Sequence, residues 1–349
     1  LEIGVKKLFK LFKVVNMKIF VSGGTGSIGA HLIKMLSDQG AIIHALVRSK
    51  DKAKHILFDG VQLFEGDILN PSSIERAMQG CNKVYHLAAF AKVWSKDTGD
   101  FYSYNVQGTV NILESALLNQ IEKIVITSTA GVYGPSINGV VTENKIRDID
   151  LFNEYEGSKA MAESVIKDYI IQHNMNVVIV SPTRVYGPFI FGKPSSVTLM
   201  IDKYVNGKWR IYPGTGKELG NYIFIKDAAL GHLLAMEKGK KGSTYLLGGE
   251  NHDYVSFYKL LSEVSEIHRT MLSIPLWTQM LFSRSQLFLA KIVGKEPVIT
   301  LKWVSKAKYN WEVSPNKAQS ELGLPITPLK EGLKETVLWL RQINNSSHK

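Results

Sequence analysis

The stretch VSGGTGSIGAHL, residues 21–32, places four glycines within seven positions at the mouth of an apolar-periodic run. Gly23, Gly26 and Gly29 read G-x-x-G-x-x-G, directly after a β-branched strand, KIFVSG (18–23), and directly before a helix-period segment at 29–39. At such a junction each glycine has its own task. The first permits a tight turn, the second lets backbone approach a pyrophosphate, and the third lets the helix pack close to the sheet. The helix start then offers N–H groups and the positive end of its dipole to an anion. The stretch reads as a dinucleotide cradle formed by Gly23, Thr25, Gly26, Ser27, Ile28 and Gly29. A bare tight turn is the alternative, and the rest of the chain decides between them.

Outward from the turn the pattern repeats. Strand-like runs follow at 41–47, 61–66, 83–89, 123–129 and 176–182, with helix-period segments at 71–79, 101–119 and 156–173 between them. Strands alternating with helices of this length predict an α/β fold: a Rossmann-type, doubly wound parallel sheet with helices on both faces. Beyond Pro182 turn-rich stretches surround shorter elements, and 255–340 reads as mainly helical, with breaks at Pro275, Pro297, Pro315 and Pro325. The expected organisation is a basic amphipathic extension (1–16), a dinucleotide-binding domain (17–183), a smaller, mainly helical C-terminal substrate lobe (184–342) and a polar tail (343–349). Chain around 222–248 is expected to return to the main sheet.

With 349 residues, 45% of them hydrophobic and 21% charged, the chain has the composition of a globular protein with a large core and not of a disordered one. Its one cysteine, Cys81, excludes an internal disulfide and argues for a reducing, cytoplasmic setting. The nine histidines lack metal-ligand spacing, so no metal is expected. The formal net charge of +11 is partly local, at Lys6, Lys7, Lys10, Lys13 and the 238–241 run. It reads as a solvated basic surface that also suits a phosphorylated cofactor, with no nucleic-acid partner. The segment LEIGVKKLFKLFKVVN (1–16) is too short and too lysine-rich to span a bilayer, but its spacing suits weak contact with a membrane surface.

The second strand ends HALVRSKDKAK, with Arg48 after Val47 and no acid at the tip. An NAD site usually places a carboxylate there for the ribose hydroxyls. Arg48 instead suits stacking on adenine and pairing with a 2′-phosphate, with charge added by Lys52 or Lys54. NADP(H) is the favoured cofactor and NAD(H) the alternative. Asp67 in EGDIL is placed to accept from the adenine amino group with Ile68 beneath the ring; its other reading is a helix N-terminal carboxylate.

Tyr155 and Lys159 in YEGSK stand at i and i+4, on one helix face. A phenol near pKa 10 is a poor proton carrier at neutral pH, and an ammonium one turn away stabilises its phenolate. The fifth strand ends TSTAGVYG (127–134), presenting Thr127, Ser128 and Thr129 at the carboxyl edge of the sheet, where parallel α/β folds bind ligands.

These motifs, with HLAA, NVQGT, SPTRVYGP and IKDAALGHLLA, make the chain resemble the extended short-chain dehydrogenase/reductase superfamily (the NAD-dependent epimerase/dehydratase family) from Met17 to about residue 342. LLGGEN (246–251) and the WEVSPNKAQSELGLPITPLKEGLKETVLWL ending are similar to the branch of dihydroflavonol 4-reductase-like proteins, 3β-hydroxysteroid dehydrogenases and sugar epimerase-like relatives. The resemblance implies Tyr155 as general acid, Lys159 as its partner, Thr129 as the substrate-orienting hydroxyl and Ser128 as an assistant. It implies cofactor contacts at Leu87, Ala88, Ala89, Asn105, Thr127, Pro182 and Thr183, and substrate contacts at Phe90, Trp94, Tyr133, Arg184 and Tyr186. Two departures stand out. Arg184 replaces the Asn common in sugar-nucleotide epimerases, and Gly134 replaces the Asn that dihydroflavonol reductases direct at the flavonoid.

The implied function is reduction of a ketone or aldehyde of a small or hydrophobic substrate. The alternatives are a nucleotide-sugar epimerase or dehydratase with retained cofactor, and a non-catalytic NADP-sensing regulator. Leu276, Trp277, Met280, Leu281, Phe282, Leu287, Phe288 and Leu289 are expected in the core of the second lobe, and Phe90, Val93, Trp94 and Tyr186 at the pocket mouth. Asp227 is read as a structural cap; His31, His44 and Cys81 receive no role. The 101–119 and 156–173 segments are expected to pair in a homodimer.

Overall fold

The β-branched runs become strands close to where their sequence puts them. The computed structural model describes residues 15–92, 94–190, 194–293, 297 and 300–346, without the side chains at 288, 290–293, 345 and 346. Most of the amphipathic extension (1–14), Val93, the Phe288 side chain and residues 347–349 of the tail lie outside the described residues. The strands are β1 (Lys18–Ser22), β2 (Ile42–Val47), β3 (Val61–Glu65), β4 (Lys83–His86), β5 (Lys123–Thr127) and β6 (Val177–Pro182). Then come β7 (Arg184–Tyr186), β8 (Ile211–Pro213), β9 (Gly220–Phe224), β10 (Thr244–Leu247), β11 (Glu250–His252) and β12 (Leu272–Ile274). Seven of them form one parallel sheet in the order β10-β6-β5-β4-β1-β2-β3.

Side chains alternate across this sheet, as the period of two requires. Ile19, Val21, Val125, Val178 and Val180 join Leu32 and Leu36 of the helix Ser27–Ser37 and Leu233 and Leu234 of Ile225–Lys238 on one face. Phe20, Ile124, Ile126, Val177 and Ile179 meet Ile74, Ile112 and Ile166, from the helices Pro71–Met78, Gly108–Leu118 and Glu154–His173, on the other. With both faces covered, the strands read as near-continuous apolar runs. Strand order reverses between β1 and β4, so the crevice at their carboxyl ends is the topological switch point where such sheets bind ligands.

Two helices begin differently from their sequence pattern, for local reasons. Asn153 accepts from Glu156 N at 2.9 Å and starts its helix at Glu154, which puts Tyr155 in the first turn. The 101–119 segment is not one α-helix: Gly99–Tyr102 and Gly108–Leu118 flank a wider π-type turn at Ser103–Gln107.

Beyond β6 the chain builds a second layer. β9 pairs with β7 and β11 in a separate small sheet, while the helix Ile225–Lys238 and β10 rejoin the main one. Helices Ser196–Val205, Tyr254–Ser265 and Leu329–Ser346 enclose a core of Tyr186, Tyr204, Tyr222, Phe257, Leu261, Leu333 and Val337. The helix Leu276–Val293 corrects an expectation: Trp277 is 68% exposed, Leu281 63%, Phe282 51% and Leu289 50%. Its apolar residues lie on both sides of the helix. At 3.6 residues per turn Leu276, Met280, Ser283 and Leu287 share the inward face, which leaves the others outside. Among the described residues no helix is long and apolar enough to cross a membrane.

Candidate active site

The glycine turn sits at the carboxyl end of β1, in the switch-point crevice. Gly23 has φ +76°, and a Cβ there would lie 2.4 Å from Ala88 N, so the turn closes against the chain leaving β4. A Cβ on Gly29 would lie 2.2 Å from Gly23 O, which is the close packing of helix on turn that its position predicts. Gly26 differs. It is the N-cap of Ser27–Ser37, it is exposed, and a Cβ there would meet only Gly23 O, at 3.2 Å. No acid occupies the first turn of that helix. Open space above a helix N-terminus with no competing carboxylate fits a dinucleotide pyrophosphate. Thr25, Ser27 and Ile28 are partly exposed along the same turn. Gly24, passed over in the sequence, has a packing role: a Cβ would collide with Ile33 Cδ1 at 2.3 Å.

Arg48 is exposed at the end of β2 and lines a cleft of about 360 Å³ with Glu65, Gly66, Asp67, Asn70, Ser73 and Arg76. The second guanidinium, Arg76, comes from the helix Pro71–Met78. It carries no motif, and only the fold brings it to the cleft. Lys54 is turned back to Asp51 at 2.8 Å, an exposed pair on its own short helix. Asp67 does not cap a helix: Asn70 does, while Asp67 Oδ1 accepts from Leu69 N at 2.9 Å in a local turn. Ile68 is buried, and its carbonyl accepts from Asn111 Nδ2 at 2.9 Å.

At the end of β5 the three consecutive hydroxyls part company. Thr127 Oγ1 pairs with His232 Nε2 at 2.9 Å, and Ser128 donates to Glu163. Thr129 is the one of the three whose hydroxyl acts on the Tyr155 phenol. The alternation of an extended segment sends Ser128 to the face opposite Thr129, and Thr127, the last residue of β5, is held by His232 instead of joining Thr129. Thr127 still contributes through its backbone, because Lys159 Nζ donates to its carbonyl at 2.7 Å.

The electrostatics follow from burial. Tyr155 is pushed up to about 12 by burial, against the nearby Thr129 hydroxyl, which lowers it, and with the Glu156 charge adding to the rise. Lys159, one turn on, directs its amine to the Thr127 carbonyl. Burial pushes Lys159 itself down to about 8, opposed by Glu163. Behind it His86, hydrogen-bonded to Ser22 Oγ at 2.6 Å, is pushed down to about 3 by burial and then by the Lys159 charge, so it stays neutral. A phenol that keeps its proton at neutral pH, beside a hydroxyl and a buried amine, suits proton donation to an oxygen held between them.

Several other candidates also hold the framework together. Asn105 Oδ1 accepts from Phe90 N at 2.7 Å and its Nδ2 donates to Ser158 Oγ at 2.9 Å, tying the chain after β4 to the Tyr155 helix. Thr183 donates to Asn221 Oδ1 at 2.7 Å, directly after Pro182 at the end of β6. Leu87 and Ala88 are partly and Ala89 fully exposed beside the glycine turn; Phe90 and Trp94 are partly exposed. Tyr186 is corrected: it is fully buried against Phe224 with its hydroxyl toward Leu329 O, and does not stand at a pocket mouth. Tyr133 is likewise nearly buried, among Ala130, Val141, Leu246 and Val313. Asp227 clamps rather than caps. Its oxygens accept from Thr327 N at 2.7 Å and Thr327 Oγ1 at 2.9 Å, and burial pushes it up to about 6.

Glu156 escaped the sequence reading. It is 1% exposed, accepts from Arg147 Nη2 at 2.9 Å and Phe152 N at 3.1 Å, and pairs with Lys306 of the helix Leu301–Lys306. Its two charged partners are 9 and 150 residues away in sequence, so nothing local announces the charge network.

Comparison with known proteins adds a third line. The model of the NAD dependent epimerase/dehydratase family matches residues 19–248. A putative dihydroflavonol 4-reductase of Synechocystis sp. is 31% identical over 92% of this chain and 94% of its own. The decarboxylating sterol-4-alpha-carboxylate 3-dehydrogenase of Homo sapiens is 25% identical over 93% of this chain and 88% of its own. Among solved structures, UDP-glucose 4-epimerase from Thermotoga maritima with UDP-glucose superposes with a TM-score of 0.78 at 22% identity. It covers 94% of this chain and 100% of its own, a likeness of fold.

Proposed function

Because the chain belongs to the NAD dependent epimerase/dehydratase family, as an extended short-chain dehydrogenase/reductase acting on CH–OH and C=O groups, we propose that it is an NADP(H)-dependent reductase of a ketone or aldehyde on a small or hydrophobic substrate. The observation that carries the reading is the juxtaposition of the Tyr155 phenol and the Thr129 hydroxyl, with Lys159 one turn on, at the switch-point edge that also holds the glycine turn.

A bound nicotinamide supplies the hydride for such a reduction. The protein does the rest. Thr129 and Tyr155 hold the carbonyl oxygen between two hydroxyls, and Tyr155, protonated at neutral pH, donates the proton that completes the alcohol. Lys159 places a positive charge below that site and is one helical turn from Tyr155 to support it as its proton leaves. Gly26 and the helix behind it hold the pyrophosphate. Arg48 and Arg76 on one cleft favour the 2′-phosphate of NADP(H) over NAD(H).

The epimerase reading draws on fold alone at 22% identity, and Arg184 departs from the sugar-nucleotide pattern. The sensing reading leaves the Tyr155–Thr129 pair without a purpose. NADPH absorbance with a panel of ketones and aldehydes separates the three. Net consumption supports the reductase, tightly retained NAD⁺ without net turnover the epimerase, and binding without turnover the sensor. For the homodimer we propose the Glu154–His173 helix, whose Met161 and Ile171 are 51% and 79% exposed; sedimentation of an Ile171→Glu variant tests it.

A further inference from the structure

Arg184 opens β7, two residues after Pro182, and its side chain lies in the second lobe. Its Nη1 donates to Tyr222 Oη at 3.3 Å, its guanidinium stands 5.6 Å from the Tyr222 ring, and the Tyr254 side chain is its other near neighbour. A Cβ on Gly220 would lie 2.3 Å from Nη1, so a glycine is needed there to leave the guanidinium its place. Both neighbours are tyrosines. Among the described residues no Asp or Glu pairs with Arg184, although it is largely shielded, with only part of its surface open.

Its neighbours do not supply the missing charge. Lys306 lies within electrostatic reach of both Arg184 and Arg147. The carboxylate among them, Glu156, is fully engaged: one oxygen accepts from Lys306, the other from Arg147 and Phe152 N. Lys306 and Arg147 share that carboxylate, next to Tyr155 in the chain, and Arg184 makes no bond to it. Asp253, which acts on the Tyr222 phenol, is engaged as the cap of its own helix by Ser256 N at 2.6 Å. A guanidinium offers five donors in a planar fork that matches a carboxylate or phosphate, and shielding one without such a partner is unfavourable.

We infer that the carbonyl substrate carries an anionic oxygen group, a carboxylate or a phosphate, and that Arg184 binds it on the second-lobe side of the Tyr155 site. This rests on the reductase reading above for the word carbonyl; the anion subsite itself has its own test. The group fills the fork that the two tyrosines leave open, and specificity arises because an uncharged analogue leaves the cation unanswered.

Protein loaded with NADP⁺ is titrated calorimetrically with 4-phenylbutanoate, its methyl ester and phenyl phosphate, using wild type, Arg184→Met and Arg184→Lys. NADPH turnover is followed with 4-oxo-4-phenylbutanoate against its methyl ester, and with dihydroxyacetone phosphate against dihydroxyacetone. The expected result is that Arg184→Met weakens binding and kcat/KM for the charged member of a pair by about 30-fold or more, mainly through KM, with the neutral member within about three-fold. Arg184→Lys keeps part of the preference, and whichever pair responds identifies carboxylate or phosphate. Equal losses for charged and neutral members assign Arg184 a packing role and overturn the inference, as does wild type that binds neither anion better than its neutral counterpart. Melting temperatures show whether each variant is folded, and the Lys variant carries the test if the Met variant is not. Arg184-dependent anion binding without any carbonyl turnover upholds the subsite and defeats the reductase reading; turnover of neutral ketones without anion preference does the reverse.

Discussion

Arg147 Nη2 lies 2.9 Å from Glu156 Oε2, and the same guanidinium donates to Gly131 O at 2.6 Å and Val132 O at 3.2 Å. One side chain thereby ties the turn that follows Thr129 to the first turn of the helix that carries Tyr155. The approach of Thr129 to Tyr155 is thus spanned by a buried charge network that includes Lys306 from the second lobe.

Removing the carboxylate should therefore be felt in two ways. Glu156→Gln leaves Arg147 and Lys306 without their counter-charge, which costs about 3 kcal/mol when a shielded pair is broken. Thermal unfolding should show that loss. In the folded fraction kcat should fall more than cofactor affinity, since Glu156 positions Tyr155 and does not touch the dinucleotide turn. A variant with wild-type melting temperature and kcat would leave the network without a role.

Tyr155→Phe deletes the proton donor and keeps the ring in place. Positioned acids contribute about 10²- to 10⁴-fold, so carbonyl reduction should fall by about 10³-fold with NADPH affinity within about two-fold. NADPH fluorescence titration and initial rates measure both. Near-full activity in this variant removes Tyr155 from the chemistry.

Much of this was legible beforehand, for identifiable reasons. Ile19, Phe20 and Val21 announce a strand buried on both faces because a parallel sheet needs apolar residues on each side. The glycine spacing marks its turn because Gly23 and Gly29 have no room for a Cβ. Illegible features depend on partners distant in the chain. The π-type turn around Asn105 accompanies that side chain's clamp on Phe90 and Ser158. Glu156 is buried by a lysine from the second lobe, and Arg76 reaches the Arg48 cleft only once the helix after β3 is packed beside β2. Trp277 and Leu281 misled for another reason: apolar composition says how much a helix wants to bury, and not which side will find a partner.

The Arg48–Arg76 cleft predicts a graded effect on cofactor choice. Each exposed arginine that meets a phosphate contributes about 1 kcal/mol, or several-fold in affinity. Arg76→Ala should weaken NADPH binding by about that factor and leave NADH unchanged. Arg48→Asp should weaken NADPH by more and improve NADH, because a carboxylate repels the 2′-phosphate and accepts from ribose hydroxyls. Dissociation constants from cofactor fluorescence decide the matter, and an unmoved NADPH/NADH ratio in Arg48→Asp refutes the assignment.

Asp227 predicts a stability effect of a particular sign. Its carboxyl titrates near 6 instead of 3.8 because burial disfavours the charge. The folded state holds this proton more tightly than the unfolded one, so the contribution is favourable below pH 3.8 and is lost as pH rises through 6. At neutral pH the buried charge costs up to about 3 kcal/mol. Asp227→Asn keeps an acceptor for Thr327 N–H and a donor for its hydroxyl without the charge. It should melt at or above wild type at pH 7.5, with a smaller loss of stability between pH 4 and 6.5, whereas Asp227→Ala should melt below. A lower melting temperature for the Asn variant at pH 7.5 means the charge itself is needed.

Lys159 predicts the pH dependence of the reaction. Burial holds it down to about 8, so it is an ammonium at pH 7 and loses its charge as pH rises through that value. Tyr155, pushed up to about 12, keeps its proton over the same range. In the direction of carbonyl reduction the protonated phenol is the donor, so the first ionisation to slow the reaction is that of Lys159. kcat/KM for reduction should be level from pH 6 to about 7.5 and then fall, with a midpoint near 8 set by one group. Lys159→Met should be slow at every pH and lack that limb, because the remaining donor does not titrate in the range. A wild-type profile that stays flat to pH 9.5, or a limb that survives in Lys159→Met, assigns the pH dependence to another group and takes Lys159 out of the proton-transfer step.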